Sequence, residues 1–150
     1  MASERYVVDA SVAAKWFLND EDHVDVAEEY LERLLADDIE LHAPSILQYE
    51  LGHSLIRAQR DGDRPLDANQ SYESYQTFTK LPIVFHNLDG NTRLDVLRFA
   101  IRHYRGFYDS AYVCLAVNLD CKWLTSEKRY RRPLPSGFPM DHVLPLESLR

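Results

Sequence analysis

The shortness of the extended runs, and their alternation with helical patterns, limits the fold more than any other feature. Tyr6-Val7-Val8, Glu40–Ala43, Ile83-Val84-Phe85, Lys122–Thr125 and Val143–Leu146 are each only three or four residues long. Short apolar segments of this kind suit strands covered on both faces, as in a parallel sheet. Helical patterns separate them, over Val12–Phe17, Asp22–Ala36, Ser45–Arg60, Pro65–Lys80, Thr92–Tyr104 and Asp109–Leu119. Pro44, Asp61-Gly62-Asp63, Pro82 and Arg105-Gly106 provide the breaks. Parallel neighbours need crossover connections, and helices supply them. The expectation is an α/β fold with a central, mostly parallel sheet flanked by helices.

A length of 150 residues with 45% hydrophobic content fits one domain over residues 1–150, with a core that needs no disulfide. Cys114 and Cys121, with six residues between them, form no metal-binding pair and read as buried, reduced thiols. The N-terminus MASERYVVDAS lacks the basic start and apolar run of a signal peptide, and no stretch reaches the ~18 apolar residues of a membrane span. A cytoplasmic protein is expected. The net charge of −7 argues against bulk attraction to a phosphate backbone. It does not exclude nucleic acid, because a carboxylate cluster repels phosphate only until a cation fills it.

In parallel α/β sheets ligands bind beyond the carboxyl ends of the strands. Asp9 directly follows the first strand, Asp109 opens a helix after a glycine-containing loop, and Glu127 lies two residues beyond Thr125. Taken singly, each has an ordinary reading. Asp9 and Asp109 suit helix caps, and Glu127 suits a loop charge. Glu50 is more pointed. Leu47, Leu51, Leu55 and Ala58 form the buried stripe of its helix. Glu50 stands about 60° off Leu47, at the stripe's margin. A carboxylate drawn toward a core needs an arginine, a proton or a metal. Carboxylates gathered in one crevice raise one another's pKa until something positive arrives. Mg2+ or Mn2+ meets that need through oxygen ligands.

These residues also stand in motifs. Tyr-Val-Val-Asp9-Ala-Ser-Val resembles the opening strand and first acid of PIN domains. Ile46-Leu-Gln-Tyr-Glu50-Leu-Gly is similar to their second motif, and Phe107-Tyr-Asp109-Ser-Ala-Tyr-Val-Cys-Leu-Ala116 to their third. Trp123-Leu-Thr125-Ser-Glu127 resembles the strand-Thr-x-acid motif that follows, and the four keep order across about residues 5 to 130. The resemblance implies a PIN-like three-layer fold and Mg2+- or Mn2+-dependent endonucleolytic cleavage of RNA. Asp9, Glu50 and Asp109 are the implied metal ligands. Glu127 is a fourth catalytic candidate whose side chain is one methylene longer than the Asp of many relatives. The length is similar to that of VapC-type toxins, which implies a homodimer and a cognate antitoxin. The alternative is a non-catalytic PIN-like module that binds RNA or protein. Ser11 and Thr125 take positions beside the site in such proteins, while capping and strand-end bonding explain them equally.

Other features carry less. Asp20-Glu21-Asp22 suits a helix start, Asp89 a turn with Gly90, and Asp120 a turn before the fourth strand. Lys128, Arg129, Arg131 and Arg132 form the one basic patch, with Tyr130 placed to stack on a base. A solvated charge run explains it as well. The helices over Val26–Leu35 and Pro65–Leu81 carry tyrosines, Tyr72 and Tyr75 among them, suited to a dimer or antitoxin groove or to core packing.

Overall fold

The computed structural model describes residues 4–18, 22–61, 66–130 and 137–149. Strand β1 (Glu4–Val8) leads into α1 (Ala10–Ala13), which tightens into a 3-10 turn at Ala14–Trp16. Then come α2 (Val24–Leu35), β2 (Ile39–Pro44), α3 (Leu47–Arg60), α4 (Ala68–Thr79), β3 (Val84–His86), α5 (Gly90–His103), α6 (Phe107–Asn118) and β4 (Lys122–Thr125). Strand β5 (Val143–Pro145) closes the sheet between short 3-10 turns.

The five strands lie in the order β3-β2-β1-β4-β5, and every pairing is parallel. The expected sheet is thus parallel throughout. Alternation along the strands sends Tyr6 and Val7 to opposite faces. Tyr6 meets Tyr30 of α2 edge-on at 5.2 Å, and Phe85 of β3 meets Phe78 of α4 on that same side. On the other side Trp123, in register with Val7, stacks on Tyr112 of α6 at 6.3 Å. Helices therefore cover both faces, which makes three layers. Helix α6 is buried through Ser110, Ala111, Tyr112, Val113, Leu115 and Ala116, so it has little polar face to show. It packs across β1, β2 and β4 with α5 outside it.

From β1 the chain runs outward to β2 and β3, then returns to place β4 on β1's other flank. Neighbouring crossovers diverge at that point and open a crevice beyond the carboxyl ends of β1 and β4.

Some local expectations need correction. Ser11 does not cap the first helix; Asp9 does, and Ser11 lies in the first turn. The cap of α6 is Gly106, which places Asp109 inside the first turn. Asp89 caps α5 by accepting from the Thr92 amide at 2.8 Å, so it is a cap and not merely a turn with Gly90. Asp120 takes a left-handed turn conformation (φ 51°), as expected before β4. Helix α2 starts at Val24 after a left-handed His23. Asp20, Glu21, Gly62, Asp63, Pro65, Arg131 and Arg132 lie outside the described residues, as does the side chain of Arg129. Both cysteines are free thiols, Cys121 buried and Cys114 half-buried. Burial pushes the Cys114 thiol up to about 11.

Candidate active site

The crevice is built from the ends of strands and the starts of helices. Asp9 follows β1, Glu50 lies in the first turn of α3, and Asp109 lies in the first turn of α6. Each carboxylate stands where unpaired amides and the helix dipole favour negative charge. Glu127 follows β4, half-buried.

Asp9 is only 4% exposed and is held by hydroxyls. Its Oδ1 accepts from the Ser11 amide at 3.0 Å and the Ser11 hydroxyl at 2.5 Å, and its Oδ2 accepts from the Thr125 hydroxyl at 2.7 Å. Ser11 Oγ in turn accepts from the Ser126 amide at 2.8 Å, and Thr125 Oγ1 from the Glu127 amide at 3.2 Å. Two hydroxyls thus tie the end of β1 to the end of β4 and orient Asp9 between them. Burial pushes the Asp9 carboxyl up to about 7, the Ser11 and Thr125 bonds oppose the rise, and the charges of Glu127 and Asp109 add to it.

Glu50 is half-buried, and its Oε1 accepts from the Tyr112 hydroxyl at 2.7 Å. Burial also raises the Glu50 pKa; the Tyr112 bond opposes this, and Asp109 and Glu127 reinforce it. Asp109 Oδ2 accepts a long contact of 3.5 Å from the Tyr130 hydroxyl. The structure thus brings all four sequence-predicted acids to one crevice, where Asp109 and Glu127 act electrostatically on both Asp9 and Glu50.

The fold has known counterparts, and residues 6–133 match the family model described as PIN domain. The chain belongs to the PIN domain family. Ribonuclease VapC3 of Pyrobaculum aerophilum is 28% identical over 134 residues, covering 88% of this chain and 96% of that protein. Ribonuclease VapC1 of Mycobacterium tuberculosis is 33% identical over 100 residues, covering 66% of this chain and 71% of that protein. Among solved structures, VapBC2 from Rickettsia felis, bound to a DNA fragment from their promoter, superposes with a TM-score of 0.63 at 14% identity. That match covers 94% of this chain and 98% of the other.

Two tyrosines that bond the crevice acids were not expected there from the sequence. Tyr112 passes for one more apolar residue of an apolar helix. Its sequence signal is weak: at three residues beyond Asp109 it lies on the same face of α6. Tyr130 was expected to stack on a base, but it is fully buried against Trp123 and Phe138, with the Arg105 guanidinium over its ring at 5.7 Å. It therefore offers no stacking surface; what reaches the crevice is its hydroxyl. Lys128 of the basic patch is exposed beside the site.

Proposed function

We propose that this PIN domain is a divalent-metal-dependent endoribonuclease acting as the toxin of a toxin–antitoxin pair. The observation that carries the reading is the buried Asp9 carboxylate, pinned by Ser11 and Thr125 and facing the charges of Glu127 and Asp109.

The donor set is oxygen throughout, which suits Mg2+ or Mn2+. Among the described residues no three His, Cys, Asp or Glu side chains form a ready metal cage. Mg2+ requires none, since it is commonly held by one or two carboxylates, waters and substrate phosphates. Asp9 and Asp109 are the assigned direct ligands, with Glu50 binding the ion or its waters. A bound ion supplies an activated water and neutralises charge developing on the phosphate. The protein's own groups do the rest. Ser11 and Thr125 keep Asp9 in one orientation. The Tyr112 hydroxyl holds Glu50 Oε1, and the raised proton affinity of Glu50 suits it to take a proton from the attacking water. Glu127 enters through its charge on Asp9 and Glu50.

The test is cleavage of RNA with Mg2+ or Mn2+ by the wild type, Asp9→Asn and Asp109→Asn. Loss in both variants is expected; undiminished cleavage in both would overturn the site. Metal binding is followed separately by calorimetry, and its absence in the wild type would favour a non-catalytic binding module. A cytoplasmic location belongs to the same reading; no described helix is long and apolar enough to cross a membrane. The relatives named above support the toxin role and an antitoxin partner, which co-expression with a neighbouring small gene would test through relief of toxicity. A homodimer belongs to the same reading. Its support is an exposed apolar stripe on α5, Leu94, Leu97 and Ile101 at helical spacing, with the exposed Tyr104 just past the helix end.

A further inference from the structure

A groove of about 960 Å³ runs from the acidic crevice along α3, with α1 and the 3-10 turn after it as its other wall. Helix α3 gives it two rows of side chains at helical spacing. The inner row begins at Glu50 and continues with the small residues Ser54 and Ala58, which leave room beside the helix. The outer row is Tyr49, His53, Arg57 and Arg60, all exposed, with Tyr49 at 73%. Tyr108, at the start of α6, stands 56% exposed at the acidic end. Chemistry therefore changes along the groove. Acids and two exposed rings occupy one end; two guanidiniums occupy the other, and among the described lining residues Asp61 is the carboxylate beside them. From Glu50 the axial rise is about 10 Å to Arg57 and about 15 Å to Arg60.

We propose that this groove is the path of single-stranded RNA, with Tyr49 and Tyr108 stacking bases beside the scissile bond and Arg57 and Arg60 holding phosphates farther along. The proposal rests on the nuclease reading of the crevice and adds the substrate's form and direction. An exposed ring at a rim accepts a base only when that base is not stacked within a helix, so the groove takes an unpaired strand. The protein is acidic overall, so attraction for phosphate must be local, and the α3 guanidiniums supply it inside the groove. Their distance from the acids also separates phosphate binding from phosphate cleavage.

The experiment measures fluorescence anisotropy of a labelled single-stranded RNA of mixed sequence in EDTA, across a salt series. The double variant Arg57→Ala, Arg60→Ala is expected to bind at least tenfold more weakly, and its log–log salt slope to fall by about 1.4, at about 0.7 per phosphate contact. Tyr49→Ala is expected to weaken binding by about tenfold with the slope unchanged, and Tyr49→Phe to restore it. Arg98→Ala, on α5 in an exposed pair with Asp95, is the control and is expected to bind as wild type. Unchanged affinity in the double arginine variant, or an equal loss in Arg98→Ala, overturns the path. Equal competition by duplex RNA overturns the single-strand assignment. A wild type that binds in this pattern but cuts no RNA with Mg2+ or Mn2+ would sink the nuclease reading and leave the groove standing. Cleavage with all groove variants binding normally would do the reverse.

Discussion

Asp9 lies at the end of β1, almost wholly buried, with both oxygens engaged by neighbouring hydroxyls. Its carboxyl titrates near 7 in the fold against 3.8 for a free side chain. Between those values the folded protein binds more protons than the unfolded chain, so stability falls as pH rises from about 4 to about 7. Above that the full cost stands, no more than about 4 kcal/mol. Asp9→Asn removes the charge but keeps the shape, so the metal-free variant is expected to melt several degrees above wild type at pH 8 and close to it at pH 4. Thermal denaturation at both pH values checks this, and an equal melting difference at both would contradict it. A proton on Asp9 also competes with any cation, so the affinity for Mg2+ or Mn2+ is expected to weaken as pH falls through about 7, as calorimetry would show. Tyr112→Phe takes from Glu50 the bond that holds its proton affinity down. The acid limb of the pH–rate profile is then expected to move to higher pH, at a stability cost of about 1 kcal/mol. An unmoved limb would leave Tyr112 a packing residue only.

Helices place the acids, and at this scale the sequence is informative in some places and silent in others. The ends of β1 and β4 were legible because short apolar runs stop at polar residues, which puts Asp9 and Thr125 at the crevice. Glu50 was legible because helical periodicity sets it at the margin of a buried stripe that the structure reproduces at Leu47, Leu51, Leu55 and Ala58. Periodicity fails on α6. When nearly every side is buried, no face is marked, so the spacing of Tyr112 from Asp109 is the one weak signal of its aim at Glu50. Composition misled at Tyr130, whose basic neighbours suggest solvent although the ring fills the core. Asp89 and Asp9 look alike on paper, each an acid after a strand and before a helix. The structure separates them: Asp89 is exposed and bonded only at its own helix start, which holds its pKa low. Asp89→Ala is therefore expected to lower the melting temperature slightly and leave cleavage unchanged. Loss of cleavage in a folded Asp89→Ala protein would extend the site beyond its assigned members.

Across the whole molecule, the apolar stripe on α5 faces away from the sheet that α6 covers. If two copies meet there, Leu97→Glu with Ile101→Glu is expected to halve the mass seen by light scattering and leave the circular dichroism of the chain intact. An unchanged mass would place any self-association elsewhere. The order of the strands has a further consequence, one of timing. The Thr125 partner of Asp9 comes 116 positions after it, on β4, the later of the two strands that flank β1. At a synthesis rate of roughly 5–20 residues per second, the first acid waits about 6 to 23 seconds for the hydroxyl that orients it. A ribosome making this chain therefore carries Asp9 without its orienting hydroxyl over that interval, and the pairing of the two strand ends waits on β4.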